Sequence, residues 1–262
     1  MTISATIENP TRDGKVLTLD QLRLYHDQGY LIVEGLFDAN QIERIKALRF
    51  RAEKKAMAQG GSFRDGKVEY QAEPVQSDPT GKVFALRKVQ EAFLGEPDFA
   101  EVTASERVLD IVEDLIGPEI YYFSSKLMFK PAHGGSRKPW HQDFAYWAET
   151  GTRQVTVWGA IDPATQKNGC IQVIPESHKK GLLKHHQWED YMIDEDTVKD
   201  DKVVYAEMNS GDVLFFNVLT LHASDPNRSD QPRLSTIVDF DSEPGPPDKP
   251  FGSQVPLRTA KT

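Results

Sequence analysis

From Pro118 onward the chain breaks into short apolar runs separated by turn residues, and this texture narrows the possible folds more than any other feature. Ile120–Phe129, Val155–Ile161, Cys170–Ile174, Val203–Tyr205, Val213–Phe216 and Leu234–Phe240 read as strands bounded by turn residues. Six short strands in one stretch predict a sandwich or jelly roll. The segment before Pro118 reads as helical. Thr18-Leu19-Asp20-Gln21 has the form of a capping box, and Leu19, Leu22 and Tyr25 follow on one face up to Gly29. Tyr30–Val33 reads as a buried strand. A second helix starts at Asp38-Ala39-Asn40-Gln41 and runs through Ile42, Ile45, Leu48 and Ala52 to Gly60-Gly61. A third covers Phe99–Ile116 and stops at Gly117-Pro118. Amphipathic helices need a sheet to cover. The expectation is therefore a mainly β fold with flanking α, read as one domain over 1–262. Residues 15–118 form a mostly helical support, 119–242 the β core and 243–262 a tail. Ser62–Val83 and His185–Asp201 read as long loops, as suited to solvated excursions as to lids.

Composition removes several function classes. Thirty-one basic against 40 acidic residues give a net charge of −9, the wrong sign for a general nucleic-acid binder. No apolar run reaches the roughly 20 residues that span a bilayer. The first residues lack a basic-then-apolar signal. One cysteine, Cys170, can form neither an internal disulfide nor a Cys-rich zinc site, which points to a reduced, cytoplasmic setting. Metal chemistry then falls to the seven histidines. Oligomeric state is left open.

The chemistry-bearing stretch is Lys138-Pro139-Trp140-His141-Gln142-Asp143-Phe144-Ala145-Tyr146-Trp147. On a strand, His141 and Asp143 point to one face, so an imidazole and a carboxylate can reach the same ion. A His-x-Asp pair with a distant His is the facial triad of non-haem Fe(II) sites, which keeps coordination positions open. The pair alone is a weak signal. His222, just after the Gly211–Phe216 turn and strand, supplies the distant His. Arg233 follows eleven residues later and opens the last core strand. An isolated Arg is most often half of a surface ion pair. Behind a metal-ligand His, its planar fork suits the carboxylate of a 2-oxo acid cosubstrate.

These segments resemble the phytanoyl-CoA dioxygenase family of Fe(II)- and 2-oxoglutarate-dependent oxygenases. The similarity is carried by Trp-His-Gln-Asp-x-x-Tyr-Trp at 140–147, Asn168–His178, Gly211–Phe216, and Leu221-His222-Ala223-Ser224 with Arg233. The motifs fall in family order over about 120–240, with looser similarity from about 15. The resemblance implies a double-stranded β-helix, of jelly-roll or cupin-like form, with the helices packed on it. It implies that His141, Asp143 and His222 are the catalytic metal ligands, holding Fe(II). Arg233 and Ser224 would hold the distal carboxylate of 2-oxoglutarate, with Trp158 and Lys88 beside the cosubstrate. Related halogenases have Gly or Ala at the position of Asp143, so its carboxylate implies an oxygenase outcome. The implied reaction spends O2 and 2-oxoglutarate, releases succinate and CO2, and hydroxylates an unactivated C–H bond of a small-molecule substrate. Desaturation, cyclisation or epoxidation uses the same machinery. A non-catalytic or hydrolytic metal-binding cupin-like protein is the reading from another class.

Lys126, Phe144, Tyr146, Trp147 and Arg153 are the candidate substrate residues, although Phe144 and Tyr146 alternate away from the ligand face if the strand continues past His141. The basic loop after His133 could form a rim that meets an anionic substrate or be a solvated turn. His26, His178, His185 and His186 read as surface or structural, and Cys170 as a small buried hydrophobe.

Overall fold

A computed structural model describes residues 14–74, 84–147, 154–187, 191–244 and 255–259. The N-terminal elements begin as their sequences require. In α1 (Leu19–Gln28) the Thr18 hydroxyl accepts from the Gln21 amide while the Gln21 side chain accepts from the Thr18 amide, and Gly29 ends the helix at φ 84°. After β1 (Tyr30–Val33), α2 (Ala39–Gln59) starts on the same device, with Asp38 and Gln41.

The next stretch departs from the helical reading. Residues 63–90 contain three strands, β2 (Phe63–Asp65), β3 (Val68–Pro74) and β4 (Phe84–Gln90). β2 and β3 form a hairpin around Gly66-Lys67, with Phe63 stacked on Tyr70 at 4.4 Å. The first part of the expected Ser62–Val83 loop is thus sheet; 75–83 lie outside the described residues. The single helix expected over Phe99–Ile116 is two helices. After the short α3 (Ala92–Gly95) come α4 (Pro97–Thr103) and α5 (Glu106–Ile116), broken at Ala104-Ser105.

The core strands follow: β5 (Ile120–Lys130), β6 (Lys138–His141), β7 (Gln154–Ala160), β8 (Ile171–Val173), a small hairpin of β9 (His186–Gln187) and β10 (Tyr191–Met192), β11 (Val204–Ala206), β12 (Val213–Asn217), β13 (His222–Ser224) and β14 (Arg233–Asp241). β15 (Val255–Arg258) corrects the expectation of a plain tail, because it pairs with the start of β5. Arg258 there meets Glu106, Asp110 and Glu113 of α5.

Besides the β9–β10 hairpin, the described strands form two larger antiparallel sheets. The large one runs β1-β12-β7-β14-β5-β4-β3-β2, and the small one β11-β8-β13-β6. Period-two alternation divides the labour on the large sheet. Leu127, Phe129, Val155, Val157, Val213, Phe215, Leu234, Val238 and Phe240 point outward and join Leu22, Tyr25, Ile45, Leu48, Val108 and Val112 of the helices in one core. Trp158, Leu214 and Phe216 point inward, against Ile171 and Val173 of the small sheet. Many of the other inward positions are polar, Lys126 and Lys130 on β5, Arg233, Ser235 and Asp239 on β14, and Thr156 on β7, with Met128 and Ile237 between them. The site lies in this gap between the sheets.

Candidate metal centre and cosubstrate pocket

His141 ends β6 and His222 begins β13, and the two are direct register partners. Their rings lie 4.1 Å apart between centroids. Asp143 reaches them differently from the strand argument. The strand stops at His141, and Asp143 opens a 3-10 turn over Asp143–Tyr146. Period two is not what brings the pair together; the turn swings the carboxylate back, and Phe144 N donates to Val218 O to fix it. Asp143 Oδ1 then lies 3.5 Å from His141 Nε2 and 3.7 Å from His222 Nε2. The three ligand atoms fall within 4.8 Å of one another, and all three residues are buried.

The surroundings prepare these atoms for a cation. His141 Nδ1 lies 2.8 Å from Pro139 O, and His222 Nδ1 lies 3.0 Å from Thr220 O. A carbonyl only accepts, so each Nδ1 carries the proton and each Nε2 offers its lone pair toward Asp143. Burial, with His141 beside it, pushes His222 down to about 3, so it stays neutral. Burial pushes Asp143 up, but attraction to the imidazoles in their charged form, at the low pH where the carboxyl would take a proton, and to Lys126 outweighs it and holds the carboxyl below its usual range. Two neutral imidazoles and one carboxylate suit Fe(II).

A second set of contacts holds the ligands. Thr156 Oγ1 donates to Asp143 Oδ2 at 3.0 Å and lies 2.8 Å from Asp239 Oδ1. One hydroxyl proton serves one acceptor at a time. Burial pushes Asp239 up to about 6, and a protonated Asp239 removes the conflict. Gln142, between the two ligands, is fully buried. Its amide donates to Gly181 O and Leu219 O at 2.8 and 2.7 Å, and its oxygen accepts from Leu183 N at 2.8 Å.

At the β14 end of the same cavity, Arg233 is buried with Nε and Nη1 meeting no partner among the described residues, and the Ser235 hydroxyl is equally unmet there. The guanidinium stacks on Trp158 at 5.1 Å. Lys130, register partner of Arg233, donates to Ser224 Oγ at 2.9 Å and to Asp225 O. Burial and Arg233 push Lys130 down to about 7. Buried donors without acceptors are costly. An entering carboxylate would satisfy them, so the pocket fits one end of 2-oxoglutarate.

The cavity measures about 460 Å³. Lys88, Lys126, Tyr146, Trp147, Trp158 and Ser224, all candidates from sequence, line it. Phe144 does not: it packs with Phe123, Trp147 and Val218 beneath the turn. Arg153 lies outside the described residues. The loop after His133 contributes Gly135, Ser136 and Arg137 to the wall, whereas His133 pairs with Asp230 at 2.8 Å. His178 lies outside the triad and is bonded to His26 O. Sequence reading passed over Lys130, Thr156, Gln142 and Asp239. Lys130 and Thr156 could have been found by stepping along their strands in twos, four residues on from Lys126 and two back from Trp158.

The family model described as Phytanoyl-CoA dioxygenase (PhyH) matches residues 25–235. The chain belongs to the phytanoyl-CoA dioxygenase family. With the family comes the enzyme class, an Fe(II)- and 2-oxoglutarate-dependent dioxygenase. Among relatives, the peroxisomal phytanoyl-CoA dioxygenase of Bos taurus is 32% identical over 232 residues, covering 84% of this chain and 67% of that one. Two solved structures share the fold. EctD from S. alaskensis, with 2-oxoglutarate and 5-hydroxyectoine, superposes with a TM-score of 0.70 at 22% identity over 95% of this chain and 84% of that one. The carbocyclase SnoK from nogalamycin biosynthesis gives 0.67 at 19% over 91% and 88%. No helix among the described residues is long and apolar enough to cross a membrane.

Proposed function

We propose that this enzyme hydroxylates an unactivated C–H bond of a small organic metabolite while 2-oxoglutarate is converted to succinate and CO2. One observation carries the reading. Three buried ligand atoms within 4.8 Å share a cavity with a buried guanidinium whose donors are unmet. In this reading His141, Asp143 and His222 hold Fe(II). Arg233 and Ser235 take the distal carboxylate of 2-oxoglutarate, and Lys130 with Ser224 closes the same end. Iron, when bound, supplies O2 activation coupled to decarboxylation of the 2-oxo acid. The chain's residues do the rest. The two backbone carbonyls fix the imidazole tautomers, Thr156 orients the carboxylate, and the stacked Trp158 keeps Arg233 aimed and dry. The buried walls exclude water from the reacting end.

The test is anaerobic. Fe(II) and 2-oxoglutarate added to purified protein should give a visible metal-to-ligand charge-transfer band, lost in His222→Ala and weakened in Arg233→Ala. Absence of the band in protein shown to hold iron would sink the reading in favour of a hydrolytic or non-catalytic metal protein. With substrate, succinate release should vanish in His141→Ala and Asp143→Ala. Product mass separates hydroxylation, which adds an oxygen, from the desaturation or ring closure that removes two hydrogens.

A further inference from the structure

His141 sits at the end of β6, a strand of 4 residues at the edge of the small sheet, paired only with β13 among the described strands. Its register pairs there, His141 with His222 and Lys138 with Ser224, are separated by an irregularity. An edge strand leaves one row of backbone groups without a ladder. So short a ladder does not by itself fix the path of the chain after His141, where the turn that delivers Asp143 begins.

The segment after the 3-10 turn at Ser177–Lys180 supplies what the sheet lacks. It runs along the outer edge of β6, where Ile193 N donates to Trp140 O at 2.9 Å. Two residues on, and so on the same edge, Gln142 N donates to His185 Nε2 at 3.0 Å. His185 is itself held. Its Nδ1 lies 2.9 Å from Leu183 O, which only accepts, so Nδ1 carries the proton and Nε2 keeps a lone pair for the Gln142 amide. Leu183 N in turn donates to Gln142 Oε1 at 2.8 Å. Gln142, Leu183 and His185 thus close a ring of hydrogen bonds on the one residue that separates two metal ligands. The Gln142 side chain extends the ring to Leu219 O, just ahead of His222. His185 lies outside the cavity lining, yet its contact falls on the main chain between His141 and Asp143. Gln142 is fully buried, and a buried N–H without an acceptor is costly. Without the imidazole, residue 142 would turn toward another partner and carry Asp143 with it.

Resting on the iron-binding reading above, we propose that His185 is a positioning residue of the metal centre: its imidazole caps the main-chain amide of Gln142 and so sets the turn that aims Asp143 at the two histidines. What matters is reach as well as polarity, because the acceptor has to stand where Nε2 stands.

Anaerobic Fe(II) titration of the full-length protein tests this, together with hydrogen exchange of the backbone amides over 140–147 in the metal-free protein. His185→Gln places an amide oxygen near the position of Nε2, His185→Asn stops a methylene short of it, and His185→Leu offers no acceptor. The Asn and Leu variants should bind Fe(II) about 10–100-fold more weakly and exchange faster over 140–147, and the Gln variant should keep most of both. Glu195→Gln removes the ion pair with Arg137 farther along the same segment, so it loosens the segment without touching the ring and should leave iron affinity unchanged. Asn and Leu variants that bind iron as the parent does, a Gln variant as weak as the Asn one, or an equal weakening by Glu195→Gln would overturn the proposal. Should His185→Leu not fold, the Asn and Gln pair decides. A parent protein that takes up no Fe(II) fails the iron reading instead, and exchange over 140–147 then judges the His185 cap alone.

Discussion

Arg233 is a buried charge whose Nε and Nη1 meet no acceptor among the described residues, and its energetics follow from that. Its Nε and Nη1 give up water without gaining an acceptor. Burial pushes even this guanidinium down to about 10. A group kept for a ligand costs stability until the ligand binds. Arg233→Met should therefore raise the melting temperature of the ligand-free protein, by roughly 2–4 °C per kcal/mol recovered in a chain this long. The same change should cut 2-oxoglutarate affinity by about 100-fold. A variant that melts lower and binds normally would show that Arg233 is structural. Lys130 makes a prediction about pH. Its free value of about 7 leaves it mostly neutral at pH 8, and a carboxylate arriving nearby raises it toward the ordinary lysine value. Binding then takes up a proton. The sign follows: affinity for 2-oxoglutarate is greatest below pH 7 and falls as pH rises through 7 to 9, approaching tenfold per unit. Calorimetry at pH 8 in buffers of different ionisation enthalpy counts the proton directly, and Lys130→Met should abolish the uptake. Thr156→Val removes the hydroxyl from Asp143 and should weaken Fe(II) binding by about 10–100-fold with the fold intact, measured by metal titration.

At the scale of elements, the six core strands were legible because each is an apolar run bounded by turn residues. Their inner faces were less legible. Lys126, Lys130, Arg233 and Asp239 interrupt what would otherwise be core positions, and those interruptions are the site. The β2–β3 hairpin was missed because exposed Arg64, Asp65 and Lys67, with half-buried Glu69, give it a loop-like composition. Gly66-Lys67 at its tip was the available signal, since a glycine at the first position, here with φ 58°, favours a two-residue hairpin turn. The turn at Asp143 was missed for another reason. A His-x-Asp pair has the same spacing on a strand and on a strand followed by a 3-10 turn, so the two residues do meet His222, but by a geometry other than the one the spacing predicts. Close packing between elements makes a further prediction. Gly159 is the next-to-last residue of β7, where a Cβ would lie 2.4 Å from the Phe37 ring and 2.6 Å from Thr236 Oγ1. Gly159→Ala should cost about 1–3 kcal/mol in denaturant unfolding, because the helix-bearing face of the sheet has no room to retreat.

At the scale of the whole molecule, the ligand set is split between two sheets. His141 and His222 belong to the small sheet, whereas Arg233, Lys130 and the Thr156 that orients Asp143 belong to the large one. Away from the site, apolar packing already joins the sheets through Trp158, Phe216, Ile171 and Val173. At the site the sheets meet through polar contacts, Lys130 to Ser224 and Thr156 to Asp143, while Arg233 Nε and Nη1 and the Ser235 hydroxyl meet no partner among the described residues, so that end of the sandwich adds less to its own closure. A metal anchored on the small sheet and a 2-oxo acid anchored on the large one would join them there. Each ligand then lowers the cost of ordering the other's site, which is positive coupling. The expected thermal shift with Fe(II) and 2-oxoglutarate together therefore exceeds the sum of the two separate shifts, measured without O2 so that nothing turns over. Arg233→Met should reduce the combined shift to that of iron alone, and His222→Ala to that of 2-oxoglutarate alone. Strictly additive shifts would mean that the two sheets are already locked by their apolar contacts and that the two ligands bind without sensing each other.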